Sequence, residues 1–128
     1  MNKSVHAFTN DALGEDDATG IAELIKHGKL NPLEVTEAAI ARAQKVNAVL
    51  NAIEVPAFDA ALYAARTPVS QGAFAGVPTF IKDNADLEGF PTRNGSRAFT
   101  AKIAAKHGDY TEQYLALGFN VLGKSALP

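Results

Sequence analysis

The chain contains 128 residues, of which 47% are apolar and 20% are charged, so it can build the core of one ordinary domain. Its net charge of −2 supplies no general attraction to phosphate backbones or anionic lipids, which argues against nucleic-acid and membrane partners. The absence of cysteine excludes disulfides, thiolate zinc sites and a thiol nucleophile, and it is consistent with a cytoplasmic protein. The segment Met1–Asp17 lacks the apolar stretch of a signal peptide, and no apolar run is long enough to span a membrane.

Two helices are predicted in the first part of the chain. The first is indicated by three apolar residues at helical spacing, after which Gly28 can close the helix in the left-handed conformation. These residues are Ile21, Leu24 and Ile25. The second is expected to run from about Pro32 to Val46, because Asn31 can cap it and proline suits the first helical position.

Three short strands and two further helices are predicted in the rest of the chain. The strands are Asn51–Val55, Val77–Ile81 and Phe119–Leu122. One helix begins at Phe58 and is stopped by Pro68, and the other begins at Asp109 and is closed by Gly118. Helices that alternate with short apolar strands indicate an α/β fold.

An irregular loop is predicted after the second strand. The stretch Asp83–Ala98 contains glycine and proline among polar residues, which is too irregular for a helix and too long for a tight turn. Loops of this kind are commonly functional or disordered. Lys82 lies where the strand ends and the loop begins, and ligand sites of α/β proteins gather at the carboxyl ends of strands. Lys82 is therefore the candidate site residue.

The position of Lys82 allows two interpretations. A lysine that begins a polar loop commonly points into water. A lysine that is desolvated at such a place has a lowered pKa, because burial disfavours the charged amine. A neutral amine can then take a proton from a serine hydroxyl, which is Ser–Lys chemistry. Taken alone, the position favours the first interpretation.

The segment Gly118–Ser125 matches the phosphate-binding string G-x-x-x-x-G-K-[ST]. That loop requires a strand before it and a helix directly after it, whose N-terminus helps to hold the anion. Here a helix precedes the string and the four intervening residues are themselves the predicted strand. We interpret the match as accidental, which leaves nucleotide binding as a distant third hypothesis.

Histidines and basic residues give no separate site. His6, His27 and His107 lie far apart and lack the spacing of metal ligands, so each is interpreted as a surface residue. A basic stretch without acidic residues begins within this loop and continues past it. It consists of Arg93, Arg97, Lys102, Lys106 and His107. It could hold a carboxylate-bearing substrate, but a short basic run is more often a solvated face, and the net charge adds no wider basic field.

A resemblance to a known family extends from about Thr19 to Leu127. Its most specific block is GVPTFIKDN at Gly76–Asn84, and Gly118–Leu127 (GFNVLGKSAL) is a second match. The matching residues between them are Asp86, Gly89, Pro91, Thr92, Gly95 and Ser96. On these motifs the sequence resembles the N-terminal part of an amidase signature enzyme. The resemblance implies an α/β/α fold with a mixed sheet flanked by helices, and it accounts for the phosphate-loop string.

The resemblance implies hydrolysis of a carboxylic amide by a lysine, a bridging serine on a cis peptide and a nucleophilic serine, with no cofactor or metal. The lysine corresponds to Lys82. In that mechanism a neutral Lys82 polarises the bridging hydroxyl, which accepts the proton of the attacking serine and returns it to the leaving amine. Backbone N–H groups hold the oxyanion. In the family, both serines and these N–H groups lie downstream of the turn that the second match resembles.

Neither family serine is found in the sequence before Pro128. The serines present are Ser4, Ser70, Ser96 and Ser125, and none has the Gly/Ser-rich setting that the family implies. Ser96 is the one alternative nucleophile, and a turn hydroxyl beside Gly95 is the better interpretation of it. The chain by itself is therefore expected to be inactive.

These observations predict a flexible N-terminal segment at residues 1–16 and, at residues 17–128, the N-terminal part of a single truncated amidase domain. The full-length enzyme is expected to hydrolyse a small-molecule amide. Because strand edges and apolar surfaces that are normally covered would be open, the isolated chain is expected to self-associate. The alternative hypothesis is a non-catalytic binding or dimerising module derived from the same scaffold.

Overall fold

The computed structural model describes residues 4–67, 71–98 and 100–128. Its helices are α1 (Ala18–Lys26), α2 (Pro32–Leu50), α3 (Phe58–Arg66) and α4 (Asp109–Ala116), and its strands are β1 (Ile53–Pro56), β2 (Pro78–Lys82) and β3 (Asn120–Ser125). Every helix and strand predicted from the sequence is present, so the α/β class is confirmed. The predicted helix stop at Pro68, and Ser70, lie outside the described residues. Within the described ranges, no helix combines the length and the apolar character that crossing a membrane requires.

The first two helices begin at side-chain caps, Asp17 for α1 and the predicted Asn31 for α2. The carboxylate of Asp17 accepts a hydrogen bond from the N–H of Gly20 at 2.8 Å. Asn31 and Glu34 form a capping box, in which each side chain accepts from the backbone N–H of the other residue, at 2.9 and 2.8 Å. These caps satisfy N–H groups that the first helical turn leaves without a partner.

The end of α2 corrects one predicted boundary. The helix continues past Val46 to Leu50, and Asn51 closes it in the left-handed conformation with φ 49°. The prediction that a strand begins at Asn51 is wrong, because this residue donates its N–H back to the carbonyl of Asn47 and ends the helix. The strand begins two residues later, at Ile53.

β3 is the central strand of a mixed sheet with the order β1-β3-β2. It pairs with β1 antiparallel and with β2 parallel. It continues past the predicted end at Leu122 to Ser125. Gly123 allows β1 to approach closely, since a Cβ at this position would lie 2.4 Å from the carbonyl oxygen of Val55. The expectation that the phosphate-loop string contains a strand is confirmed.

Helices cover both faces of this sheet, as the family resemblance implies. On one face Leu122 packs with Ile40 of α2 and Ala61 of α3. On the other face Val121 and Ile81 form a cluster that α4 covers. Neighbouring strand residues point to opposite faces, so consecutive apolar residues of β3 serve two separate clusters. The result is a layer of helices on each side of the strands.

The amide of Asn120 ties the central strand to both helices of one layer. Its Nδ2 donates to the Thr36 hydroxyl and to the Ala61 carbonyl, each at 3.0 Å. Asn120 and Thr36 are both buried, so these hydrogen bonds offset the cost of removing the polar groups from water. The N-terminal end of β3 is thereby held at one position against α2 and α3.

Arg42 joins the segment before α1 to α2. Its guanidinium donates to both carboxylate oxygens of Asp11, at 2.7 and 2.6 Å, and to the carbonyls of Thr9 and Gly14. The same guanidinium lies 5.8 Å from the ring centroid of Phe8. The side chains of Arg42 and Asp11 are 12% and 17% exposed. One arginine therefore gathers several groups of the N-terminal segment.

Candidate active site

Lys82 is the last residue of β2, and its backbone is held on two sides. In the sheet it lies opposite Ser125 of β3. Its carbonyl accepts the N–H groups of Asn84 at 2.8 Å and Ala85 at 3.1 Å, which turns the chain into the loop. The side chain is exposed, and in the described part of the chain it forms no hydrogen bond with a serine hydroxyl. These residues therefore do not supply the desolvation on which Ser–Lys chemistry at this amine depends.

Asp83, the next residue, is buried, and each of its polar atoms contacts a polar atom of another residue. Its N–H donates to the Ser125 carbonyl at 3.0 Å and its own carbonyl accepts the N–H of Asn94 at 3.1 Å. One carboxylate oxygen, Oδ2, accepts the backbone N–H of Arg93 at 3.2 Å. The other, Oδ1, lies 2.8 Å from the amine of Lys124 in an ion pair whose angle falls outside hydrogen-bond geometry. Asp83 therefore joins both strands to the loop that follows Lys82.

Lys124 of β3 is the one buried lysine among the residues that the structure describes. Its side chain is 0% exposed, as is that of Asp83. Besides the ion pair, its Nζ donates to the carbonyl of Pro91 at 2.8 Å and to the hydroxyl of Thr92 at 2.6 Å. The Thr92 hydroxyl in turn donates to the Asp86 carboxylate at 2.7 Å. We call Lys124, Asp83, Thr92 and the Pro91 carbonyl the Lys124 brace.

The brace sets the path of the loop directly after Lys82. A buried ammonium group is tolerated only when its charge is paired and its three protons have acceptors. Lys124 has an oxygen atom near it from each of three residues, and all three belong to the loop at 83–92. Moving the loop would therefore leave a buried cation without its partners. This cost keeps the segment that carries Lys82 in place.

Sequence reasoning misses Lys124, because the residue lies in the phosphate-loop string and an accidental match assigns its residues no function. The pattern around Lys124 nevertheless indicates that it is buried. Lys124 lies within an apolar strand next to Gly123, and a lysine in such a run predicts a buried cation that needs a carboxylate. The acidic residue at the end of the neighbouring strand, Asp83, was within reach of that inference.

The serines that the structure describes are not assembled into a nucleophilic site. The hydroxyl of Ser96 accepts the N–H of Ala98 at 3.1 Å, and its own N–H donates to the Arg93 carbonyl. This is the turn role that the sequence favours for Ser96. Ser125 ends β3, Ser4 is exposed, and Ser70 lies outside the described residues.

The structure divides the basic stretch. Arg93 and Arg97 line one polar cleft of about 370 Å³ together with Asn51, Glu54, Ser96 and Leu127. We call this the Arg97 cleft. Of the other basic residues, Lys102 and Lys106 are exposed and do not line it, while His107 accepts the N–H of Glu88 through Nδ1 at 3.0 Å. Two of the five predicted residues are therefore brought together.

The other two histidines remain apart. The Nδ1 atom of His27 lies 2.8 Å from the carbonyl of Glu23 one helical turn earlier, and His6 is exposed. Across residues 4–67, 71–98 and 100–128, no three histidine or acidic side chains come close enough together to bind a metal ion.

The family model named Amidase matches residues 34–128, which is most of the chain. The chain belongs to the amidase family. The fold agrees with this assignment, since the chain is similar to the solved structure of 6-aminohexanoate cyclic dimer hydrolase with a TM-score of 0.77 at 32% identity, covering 88% of this chain and 24% of that one. Fatty acid amide hydrolase gives a TM-score of 0.81 over 94% of this chain and 23% of its own, at 22% identity, which supports the fold alone.

Sequence relatives support the same assignment. The chain is 46% identical to the AmiC protein of Mycobacterium tuberculosis over 124 residues, which is 96% of this chain and 26% of AmiC. It is 35% identical to the 6-aminohexanoate-cyclic-dimer hydrolase of Paenarthrobacter ureafaciens over 118 residues, 88% of this chain and 23% of that protein. The chain thus spans about a quarter of the length of the relatives that it matches.

Proposed function

We propose that this amidase hydrolyses a carboxylic amide in its full-length form and that Lys82 is the base of a Ser–cisSer–Lys relay. The observation that carries the proposal is the place of Lys82, at the carboxyl end of a strand parallel to the central one, where ligand sites gather. Similarity to a hydrolase of 6-aminohexanoate cyclic dimer supports amides as the substrate class. The relay requires no cofactor.

In this mechanism the neutral amine of Lys82 polarises the hydroxyl of a bridging serine. The bridging hydroxyl gives its own proton to the Lys82 amine and takes the proton of a second serine, while the oxygen of that second serine attacks the amide carbon and forms a C–O bond. The proton returns to the amide nitrogen while the C–N bond breaks, so the leaving group departs as a neutral amine. Water then hydrolyses the acyl-enzyme through the same relay. The role of the Lys124 brace is to hold the backbone that carries Lys82.

Neither serine of the relay is among the residues described. We therefore propose that the 128-residue chain is inactive alone and that a downstream polypeptide restores activity. The test is a chimera, called the completed enzyme, in which residues 1–128 are joined to the part of AmiC that follows its own matching segment. Hydrolysis of propionamide, hexanamide and benzamide is measured for the chain alone and for the completed enzyme. We expect turnover only in the completed enzyme.

Lys82→Ala in the completed enzyme is expected to lower kcat/KM by about a hundred- to ten-thousandfold, because the relay loses its base. Lys45→Ala, which removes an exposed lysine from α2, is the matched control and should leave kcat/KM unchanged. Cooperative thermal unfolding of each variant verifies the fold. Near-normal hydrolysis by Lys82→Ala would contradict the assigned role, and a folded completed enzyme that hydrolyses no amide would contradict the activity.

One observation favours the alternative of a binding or dimerising module. In the described part of the sheet, β1 and β2 each pair only with β3, so each has an outer edge without a strand partner. Open edges can pair with another chain, and we therefore propose that the isolated chain self-associates. Light scattering measures its size in solution. Self-association together with an inactive completed enzyme supports the module, whereas turnover by the completed enzyme supports the amidase.

A further inference from the structure

The Arg97 cleft lies at the same end of the sheet as Lys82. Two segments of the chain, one after β2 and one after β3, form its walls. After β2 the loop passes through Asp83, whose carboxylate and carbonyl hold the N–H groups of Arg93 and Asn94. After β3 the chain continues from Ser125, opposite Lys82 in the sheet, to Leu127 in the cleft wall. The cleft is thus next to the candidate active site along both strands.

Positive charge exceeds negative charge in this cleft. The guanidinium of Arg93 lies 3.3 Å from a carboxylate oxygen of Glu54, and these side chains are 48% and 34% exposed. The guanidinium of Arg97 pairs with no carboxylate in the described part of the chain. Two cations and one anion leave the cleft with one unneutralised positive charge.

The walls of the cleft are fixed by close packing at Gly95 and by a hydrogen bond to the backbone of Arg93. Gly95 has φ 66°, and a Cβ there would lie 2.9 Å from the Cβ of Leu127, so the loop packs directly on the chain after β3. The N–H of Arg93 is held by Asp83, which belongs to the Lys124 brace. A cleft that already has its bound shape loses less entropy when a ligand enters.

The geometry points to the Arg97 cleft as the subsite for a carboxylate group on the amide substrate, an inference that rests on the proposed function. Guanidinium groups form two parallel hydrogen bonds with a carboxylate, and the planar fork matches that shape better than a lysine does. Arg93 already pairs with Glu54 through one contact at 3.3 Å, which leaves the Arg97 guanidinium for the substrate. The substrate class is therefore a monoamide of a small dicarboxylic acid.

The test compares two substrates of equal chain length in the completed enzyme, adipic acid monoamide and hexanamide. We expect kcat/KM to be about two- to fivefold higher for the acid, because this is what an ion pair that water can reach contributes. Arg97→Gln should abolish this preference by raising KM for the acid by the same factor, with kcat and all hexanamide constants unchanged. Lys102→Gln removes the same charge from the same basic stretch outside the cleft, and it should preserve the preference.

The results separate the two proposals. If neither amide is hydrolysed by the folded completed enzyme, the proposed function is wrong. If hexanamide is hydrolysed as well as the acid, the activity stands and the carboxylate subsite is wrong. If Lys102→Gln lowers the preference as much as Arg97→Gln, the effect is a general field of the basic stretch, and the cleft has no specific role.

Discussion

Two ion pairs connect distant parts of this molecule, and their surroundings differ. Arg42 and Asp11 join the N-terminal segment to α2, with side chains 12% and 17% exposed. Lys124 and Asp83 join β3 to the loop after β2, and both side chains are 0% exposed. The first pair has two hydrogen bonds between a planar guanidinium and a carboxylate. The second pair has one ionic contact and depends on Pro91 and Thr92 for the remaining protons of Lys124.

Because of this difference in exposure, removing one ion pair should destabilise the fold more than removing the other. When a partly exposed pair is broken, water can solvate the charge that remains. When a fully buried pair is broken, the remaining charge has no solvent, and the cost is the desolvation of an ion rather than the loss of one contact. The pair next to Lys82 is therefore the one that holds its segment in place, and the two pairs should respond differently to substitution and to pH.

Lys124→Met should have the largest effect. It leaves the Asp83 carboxylate buried without its cation, and we expect the free energy of unfolding to fall by about 3–5 kcal/mol. Urea unfolding of the 128-residue chain measures this loss. The double variant Asp83→Asn with Lys124→Met removes both charges, and it should cost less than Lys124→Met alone because no buried ion remains. Equal or greater loss in the double variant would contradict the pairing as the source of the cost.

Arg42→Met should have a smaller effect. The partly exposed position lets water reach Asp11, so we expect a loss of about 1–2 kcal/mol from the bidentate pair and the carbonyl contacts. Urea unfolding gives the loss, and limited proteolysis shows whether cleavage increases before α1. Arg66→Met, at an exposed position on α3, is the matched control and should change stability by no more than about 0.5 kcal/mol. If Arg42→Met lost as much stability as Lys124→Met, the claim that the buried pair costs more to break would be wrong.

Acid pH, which protonates Asp11, should have the smallest effect of the three on the free energy of unfolding. Hydrogen bonding to Arg42 lowers the pKa of Asp11 below its ordinary value, with the N–H groups of Leu13 and Gly14 adding to this and burial opposing it. A carboxyl whose pKa is lower in the folded state adds stability above its unfolded pKa, and this contribution disappears as pH falls through the folded pKa. The difference in unfolding free energy between the unmodified chain and Asp11→Asn should therefore be constant above about pH 5 and shrink below about pH 4.

We expect this change to be under about 1 kcal/mol, because the pair is reached by water. Urea unfolding of both chains at pH 3 and pH 6 measures it. A difference that stays the same at the two pH values would show that Asp11 does not contribute through its charge.

Local sequence patterns were sufficient to predict the type and the order of the helices and strands. The cap at Asn31 placed the start of α2, and the apolar residues before Lys82 placed β2, because neighbours in sequence decide caps, turns and strand ends. The same patterns failed at Asn51, where strand character and a helix stop compete within one residue. The family motif around Lys82 indicated the amidase family, and the catalytic role of this lysine stays a prediction.

Residues only a few positions apart are enough to specify the α/β class, the order of the elements and the position of Lys82 at a strand end. Which lysine is buried, and which arginines share a cleft, depends instead on contacts that form only in the folded chain. Lys124 and Asp83 are far apart in the chain, as are Glu54 and Arg93, and only the pairing of β2 and β1 with β3 brings them within ion-pair distance. The energy of a charge depends on its distance from other charges and from water, and the folded chain sets both.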